Sequence, residues 1–223
     1  MNKIPFDTVL FDLDGTLVDS NLDLAPAVNH ALAAEGRAPV SHSQVRGFIG
    51  GGAARMLERA LEASGGPVSE DRFVQLTDIA LAHYWAHLAD NTVPFPGCID
   101  ALTQLKASGV RLAVCTNKSE APARELIEAL GMTHFFTAIY GADTLGRERA
   151  KPHPDMLLAA ARDCGGGRFA MIGDSTFDTR AAKAAGAPVV VLSFGYNDMD
   201  ASQMGADAVI DDFAELIPVL KTL

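Results

Sequence analysis

The stretch Thr8-Val-Leu-Phe-Asp-Leu-Asp-Gly-Thr16 decides how the rest of the chain is read. Four strand-forming residues run straight into two carboxylates two positions apart, followed by a glycine. An unbroken apolar run of this kind reads as a strand buried on both faces, as in parallel sheets covered by helices. Side chains at i and i+2 of a strand end project to one side, so Asp12 and Asp14 would leave it together. Gly15 lets the backbone turn sharply behind them. In open parallel sheets ligands bind outside the carboxyl ends of the strands, which makes this turn the first candidate site. Taken alone, the same residues also describe an ordinary Asp-Gly turn.

Downstream of Val110 the pattern repeats. Arg111–Cys115, 138–140, Phe169–Ile172 and Val189–Leu192 read as strands, with helices expected over 121–130, 155–163 and 179–185. Strands alternating with helices of this length predict a parallel sheet with both faces covered. Between the first strand and Val110 the texture is all helical. Leu24, Val28, Ala31 and Leu32 recur at helical spacing, as do Met56, Leu57, Ala60 and Leu61, and Phe73, Leu76, Ala80, Tyr84 and Leu88 extend a third stripe. The breaker Pro94-Phe-Pro-Gly97 ends that region, and Ile99, Leu102 and Leu105 begin a helix leading back to the sheet. The fold expected is α/β: a doubly wound, Rossmann-like parallel sheet interrupted by an α-helical cap. Residues 1–19 and 93–223 would form the core and 20–92 the cap.

Composition narrows the partners. The 223 residues carry 18 Lys and Arg against 28 Asp and Glu, a net charge of −10. Such a balance argues against a nucleic-acid or anionic membrane surface, although a local cation could still hold a small anion. Cys98, Cys115 and Cys164 are odd in number and far apart, which favours a reducing compartment over a disulfide framework. With acidic residues interrupting the first apolar run and no long apolar stretch, a soluble cytoplasmic protein is expected.

Three further segments follow strands and carry complementary chemistry. Thr116-Asn117 offers a hydroxyl and an amide to an oxyanion. Lys151-Pro-His-Pro154 presents a cation on a stiff, extended backbone. Gly173-Asp-Ser-Thr-Phe-Asp178 places Asp174 and Asp178 on one face of a starting helix. Singly, each has a plain structural role as a cap or a loop. Together, in this order, they imply a cluster of carboxylates that repel by about 4 kcal/mol per pair at 4 Å. A hard dication with oxygen ligands, Mg²⁺, relieves that repulsion and leaves room for a phosphate monoester, which Lys151 would help to balance.

Asp12-x-Asp14-Gly-Thr, Thr116-Asn117, Lys151 and Gly173-Asp174-x-x-x-Asp178 resemble the four motifs of the haloacid dehalogenase superfamily of phosphatases, and the helical insertion resembles that superfamily's small cap. The resemblance spans nearly the whole chain. It implies that Asp12 is nucleophile and metal ligand, and that Asp14 acts as general acid and then base while its carbonyl helps to bind Mg²⁺. Thr116 and Lys151 would hold phosphoryl oxygens, Asp174 would ligate the metal, and Asp178 would support metal or Lys151. An acid at Asp14 points to a hydrolase or mutase rather than a dehalogenase or transport ATPase.

Val45-Arg-Gly-Phe-Ile-Gly-Gly-Gly52, Gly173-Asp-Ser and Ser193-Phe-Gly-Tyr-Asn197 resemble the branch that acts on 2-phosphoglycolate. Related phosphatases of sugar phosphates or pyrophosphate share much of this, and a phosphoacceptor or binding module is the alternative from another class. In the cap, backbone N–H groups near Gly51 could approach an anion, with Arg46 or Arg55 pairing its carboxylate. His83 and His87 have the spacing of a zinc pair but lack a neighbouring Glu and a third ligand, and read as a helix face. Cys115 reads as a small buried residue ending a strand.

Overall fold

The computed structural model describes residues 3–223. Its strands are β1 (Thr8–Phe11), β2 (Val18–Asp19), β3 (Val93–Pro94), β4 (Arg111–Cys115), β5 (Ala138–Tyr140), β6 (Phe169–Gly173), β7 (Val189–Leu192) and β8 (Ala208–Ile210). The helices are α1 (Asn21–Ala34), α2 (His42–Arg46), α3 (Ala53–Ala63), α4 (Glu70–Ala86), α5 (Cys98–Ala107), α6 (Glu120–Ala129), α7 (Asp155–Asp163), α8 (Thr176–Ala184) and α9 (Leu216–Leu220). No helix among the described residues is long and apolar enough to cross a membrane.

Six strands form one parallel sheet in the order β5-β4-β1-β6-β7-β8, so the chain winds outward in both directions from β1. Leu10 lies opposite Ala113 on one side and Met171 on the other. Alternate residues feed two separate interiors. Val9, Phe11, Val114 and Ile172 pack on one face, whereas Leu10, Ala113, Met171 and Val191 pack on the other. Both faces are therefore dry, which is why these strands read as unbroken apolar runs rather than alternating ones. Because all six are parallel, the segments after β1, β4 and β6 emerge at the same edge of the sheet.

The helices α1–α4 are inserted between β2 and β3, which pair antiparallel with Val18 opposite Pro94. The buried carboxylate of Asp23, near the start of the insertion, accepts from Asn91 N, Thr92 N and Thr92 Oγ1 at its end, at 2.7–3.0 Å. The two crossings are thereby tied together. Leu24, Val28, Leu57, Leu76 and Tyr84 of the insertion share one continuous apolar cluster with the β1 face that carries Phe11.

Most sequence expectations for single elements fall within a few residues of their observed bounds. The helix expected over 179–185 begins earlier, at Thr176, because Ser175 and Asp178 close a reciprocal capping box there. The short elements β2, β3, α2, β8 and α9 were not expected. None exceeds five residues, too few for a periodic signal.

Candidate active site

Asp12, Thr116 and Asp174 follow the carboxyl ends of β1, β4 and β6, and Lys151 comes from the loop after β5. The parallel register brings them together from positions more than 160 residues apart in the chain. Asp12 Oδ1 accepts from Leu13 N at 2.7 Å and faces Lys151 Nζ at 3.0 Å. Lys151, its side chain fully buried, also donates to Asp178 Oδ1 at 2.7 Å. The other Asp178 oxygen accepts from Ser175 Oγ at 2.7 Å and from Ser175 N at 3.1 Å. Asp178 thus fastens the lysine to the start of α8.

Asp174 is held from three sides. Thr16 Oγ1 donates to its Oδ1 at 2.9 Å, and Tyr196 N donates to its Oδ2 at 2.6 Å. Its backbone carbonyl accepts from Asn197 Nδ2 at 2.7 Å. Gly15, at φ +84°, passes so close that a Cβ there would overlap both Asp174 Oδ2 and the Tyr196 ring. A glycine is required on two counts, the left-handed backbone and the space.

Asp12, Asp174 and Asp178 each offer a carboxylate oxygen, and the three oxygens lie within 4.8 Å of one another. One ammonium, Lys151, contacts two of the three. Three carboxylates against one ammonium leave two negative charges uncompensated in a buried site. Two of the three, Asp12 and Asp174, are accordingly harder to ionise. Burial pushes Asp12 up to about 6 despite the opposing pull of Lys151. Burial, reinforced by Asp12 and Asp178, raises Asp174 well above the usual carboxylate range. An all-oxygen donor set with excess negative charge suits a hard dication. Added Mg²⁺ is therefore expected to raise the melting temperature by several degrees, and Asp174→Asn to abolish most of that rise, as measured by calorimetry.

Asp14 sits apart from this cluster. Its side chain accepts from Ser20 Oγ at 2.6 Å and from Lys118 Nζ at 2.8 and 3.0 Å. The Lys118 ammonium in turn lies 4.6 Å from the centre of the Tyr84 ring, on α4. Asp12 and Asp14 open into a cavity of about 280 Å³ between the sheet edge and the inserted helices, walled chiefly by apolar side chains such as Leu24, Val28, Met56 and Leu57.

The remaining sequence candidates divide. Thr116 is buried beside the cluster, and its Oγ1 accepts from Lys118 N at 3.2 Å. Asn117 lines the cavity, and its amide donates to Gly50 O of the insertion at 3.3 Å and to Lys151 O at 3.1 Å. Arg46 does not line the cavity. Its guanidinium donates to Phe194 O and Gly195 O at 2.6 and 3.0 Å and stacks on Tyr196. Arg55 is exposed and pairs with Glu58 one turn along α3. Gly50 and Gly52, not Gly51, face the cavity. Sequence reasoning missed Lys118 and Tyr84. Lys118 directly follows Thr116-Asn117, which was the available signal; Tyr84 was read only as part of a core stripe.

A family model described as haloacid dehalogenase-like hydrolase matches residues 9–192 of this chain. The phosphoglycolate phosphatase of Caulobacter vibrioides is 40% identical over 218 residues, covering 97% of this chain and 91% of that protein. Among solved structures, a predicted phosphoglycolate phosphatase from Haemophilus somnus superposes with a TM-score of 0.89 at 32% identity, over 96% of this chain and 98% of that one. CbbY from Rhodobacter sphaeroides in complex with phosphate superposes with a TM-score of 0.77 at 29% identity, over 95% of this chain and 96% of that one.

Proposed function

This chain belongs to the haloacid dehalogenase-like hydrolase family, and on that premise we propose that it is a Mg²⁺-dependent phosphatase converting 2-phosphoglycolate to glycolate and phosphate through an aspartyl-phosphate. One observation carries the chemistry. A buried carboxylate, Asp12, faces a buried ammonium, while a second carboxylate two residues on opens into the same small cavity.

In this reading an Asp12 oxygen attacks phosphorus as the ester P–O bond breaks, and Asp14 gives its proton to the departing glycolate oxygen. Asp14 then takes a proton from water, whose oxygen attacks phosphorus. Phosphate leaves, and Asp12 is restored as a carboxylate. Lys151 and Thr116 hold phosphoryl oxygens throughout. Asp12 and Asp174, with the Asp14 carbonyl, would hold Mg²⁺, and Asp178 would support it from beside Lys151. When bound, the ion supplies compensation for the phosphoryl and carboxylate charge. Residues 20–92 act as a cap that keeps bulk water from the intermediate. The protein would work in the cytoplasm on a small diffusible acid.

The character of the cavity supports a small substrate over a sugar phosphate. Hydroxyls of a hexose would lose water against Leu24, Val28, Met56 and Leu57 without hydrogen-bond partners, which costs binding. The test is phosphate release from 2-phosphoglycolate, a hexose phosphate and pyrophosphate, with Mg²⁺ and with chelator. We expect 2-phosphoglycolate to lead by at least about tenfold in kcat/KM, and chelator to abolish turnover. A preference for the hexose phosphate, or a lasting aspartyl-phosphate without phosphate release, would overturn the reading.

A further inference from the structure

The cavity has two cations among its described lining residues, Lys118 and Arg147. Arg147 is exposed, and its guanidinium donates to Ser119 Oγ at 3.0 Å. Lys118 has only 8% of its side chain accessible and lies between Asp14 and the Tyr84 ring. Tyr84 contributes a second observation. It lines the same cavity, is only 5% exposed, and its hydroxyl, close to the Lys118 ammonium, completes no well-aligned hydrogen bond within the protein. A buried hydroxyl left unpaired is costly unless a ligand completes it. An ammonium from the core and an unpaired hydroxyl from the inserted helices therefore stand together beside the proposed acid.

We propose that Lys118 Nζ and Tyr84 Oη form the subsite that receives the substrate's carboxylate, so that they determine specificity for phosphorylated acids. The proposal rests on the phosphoglycolate reading and extends it to two residues that the motifs do not include. Its geometry follows from Asp14. For Asp14 to protonate the leaving group, the ester oxygen must touch its carboxyl. In 2-phosphoglycolate a single methylene separates that oxygen from the carboxylate. A cation in contact with Asp14 is therefore within reach of the substrate's carboxylate. The ammonium reaches both Asp14 oxygens and on its other side meets the Tyr84 hydroxyl, so a substrate carboxylate would enter where Lys118 and Tyr84 meet. Ser20 Oγ keeps its own 2.6 Å bond to Asp14, so the acid stays anchored if Lys118 shares its charge. Lys151, the other buried cation, is committed to Asp12 and Asp178. Elsewhere the wall is largely apolar, and a carboxylate there would be desolvated without a partner. Because Lys118 belongs to the sheet edge and Tyr84 to α4, one carboxylate bound by both would also draw the inserted helices onto the core.

The experiment compares 2-phosphoglycolate with ethyl phosphate, in which a methyl group replaces the carboxylate, using the full-length protein with Mg²⁺. Lys118→Met, which keeps an apolar stem against the Tyr84 ring, is expected to lower kcat/KM for 2-phosphoglycolate about 30-fold more than for ethyl phosphate. Tyr84→Phe removes one hydroxyl and no contact to Asp14; it is expected to raise KM for 2-phosphoglycolate about fivefold more than for ethyl phosphate. Equal losses on the two esters in both variants would make Lys118 a positioning residue for Asp14 alone and overturn the proposal. A selective loss in Arg147→Met, with none in Lys118→Met or Tyr84→Phe, would overturn it in favour of the rim arginine. If Lys118→Met does not fold, the KM ratio of Tyr84→Phe decides. Failure of the underlying reading looks different: the wild-type protein itself would turn over ethyl phosphate as well as 2-phosphoglycolate.

Discussion

Asp12→Asn is expected to lower phosphate release by at least about 10³-fold while leaving the protein folded. The amide keeps the size of the side chain and an oxygen for the Leu13 N–H, but it has no electron pair of comparable nucleophilicity to offer phosphorus. The remaining hydrogen-bond donors and Lys151 would still bind the phosphoryl group, so substrate affinity should fall much less than turnover. Stability should respond in the opposite direction to activity. The substitution removes one of three crowded buried carboxylates, the one that burial pushes up to about 6, and Lys151 retains Asp178 at 2.7 Å. Without Mg²⁺ the variant should therefore melt no lower than the wild type. Phosphate release and calorimetry on the same preparation check both parts. Undiminished activity would exclude Asp12 as the nucleophile and, with it, the aspartyl-phosphate.

Lys151→Met should be the most destabilising of these changes. Its ammonium is fully buried and bonded to Asp12 and Asp178, and removing one partner of a buried ion pair costs about 3–5 kcal/mol because the other charges are left without compensation. For a chain of this length that corresponds to a fall of roughly 10 °C in melting temperature. On the proposed reading Mg²⁺ would neutralise the same carboxylates, so the deficit should be smaller with the ion than with chelator. Activity should fall by at least about 10²-fold even when Mg²⁺ restores folding, because a fixed cation aimed at the phosphoryl oxygens is missing. A deficit independent of Mg²⁺ would mean that the lysine and the ion do not share one charge cluster.

The legibility of the site varies with the range over which each interaction acts. Asp12 and Asp174 could be read because each directly follows a strand whose unbroken apolar run marks its end, and a parallel sheet sends all such ends to one edge; Lys151 stands in the loop after β5 and was legible from its charge ahead of two stiffening prolines. Arg46 and Arg55 are expected at the substrate from their place beside the Gly50-Gly51-Gly52 turn, in a stretch that resembles the phosphoglycolate branch. The fold instead places Arg46 on the carbonyls of Phe194 and Gly195 and Arg55 against Glu58. Guanidinium groups satisfy themselves wherever acceptors are nearest, and in neither case could the acceptor geometry be read from spacing. Tyr84 shows the converse. Its helical periodicity correctly marked a buried face, but periodicity does not distinguish a ring that fills a core from one that walls a cavity.

From its sequence alone this protein is an α/β chain with a helical segment set into it and four chemically matched strand ends, because apolar periodicity and the residues that interrupt it act over a few neighbours. Which strands adjoin, that the charge on Asp14 meets Lys118 across 104 positions, and that Lys118 then lies over the Tyr84 ring were decided only when the chain closed on itself. Those contacts arise from the pairing of distant strands in one sheet and from the inserted helices packing on its edge, and no local pattern in the chain records them.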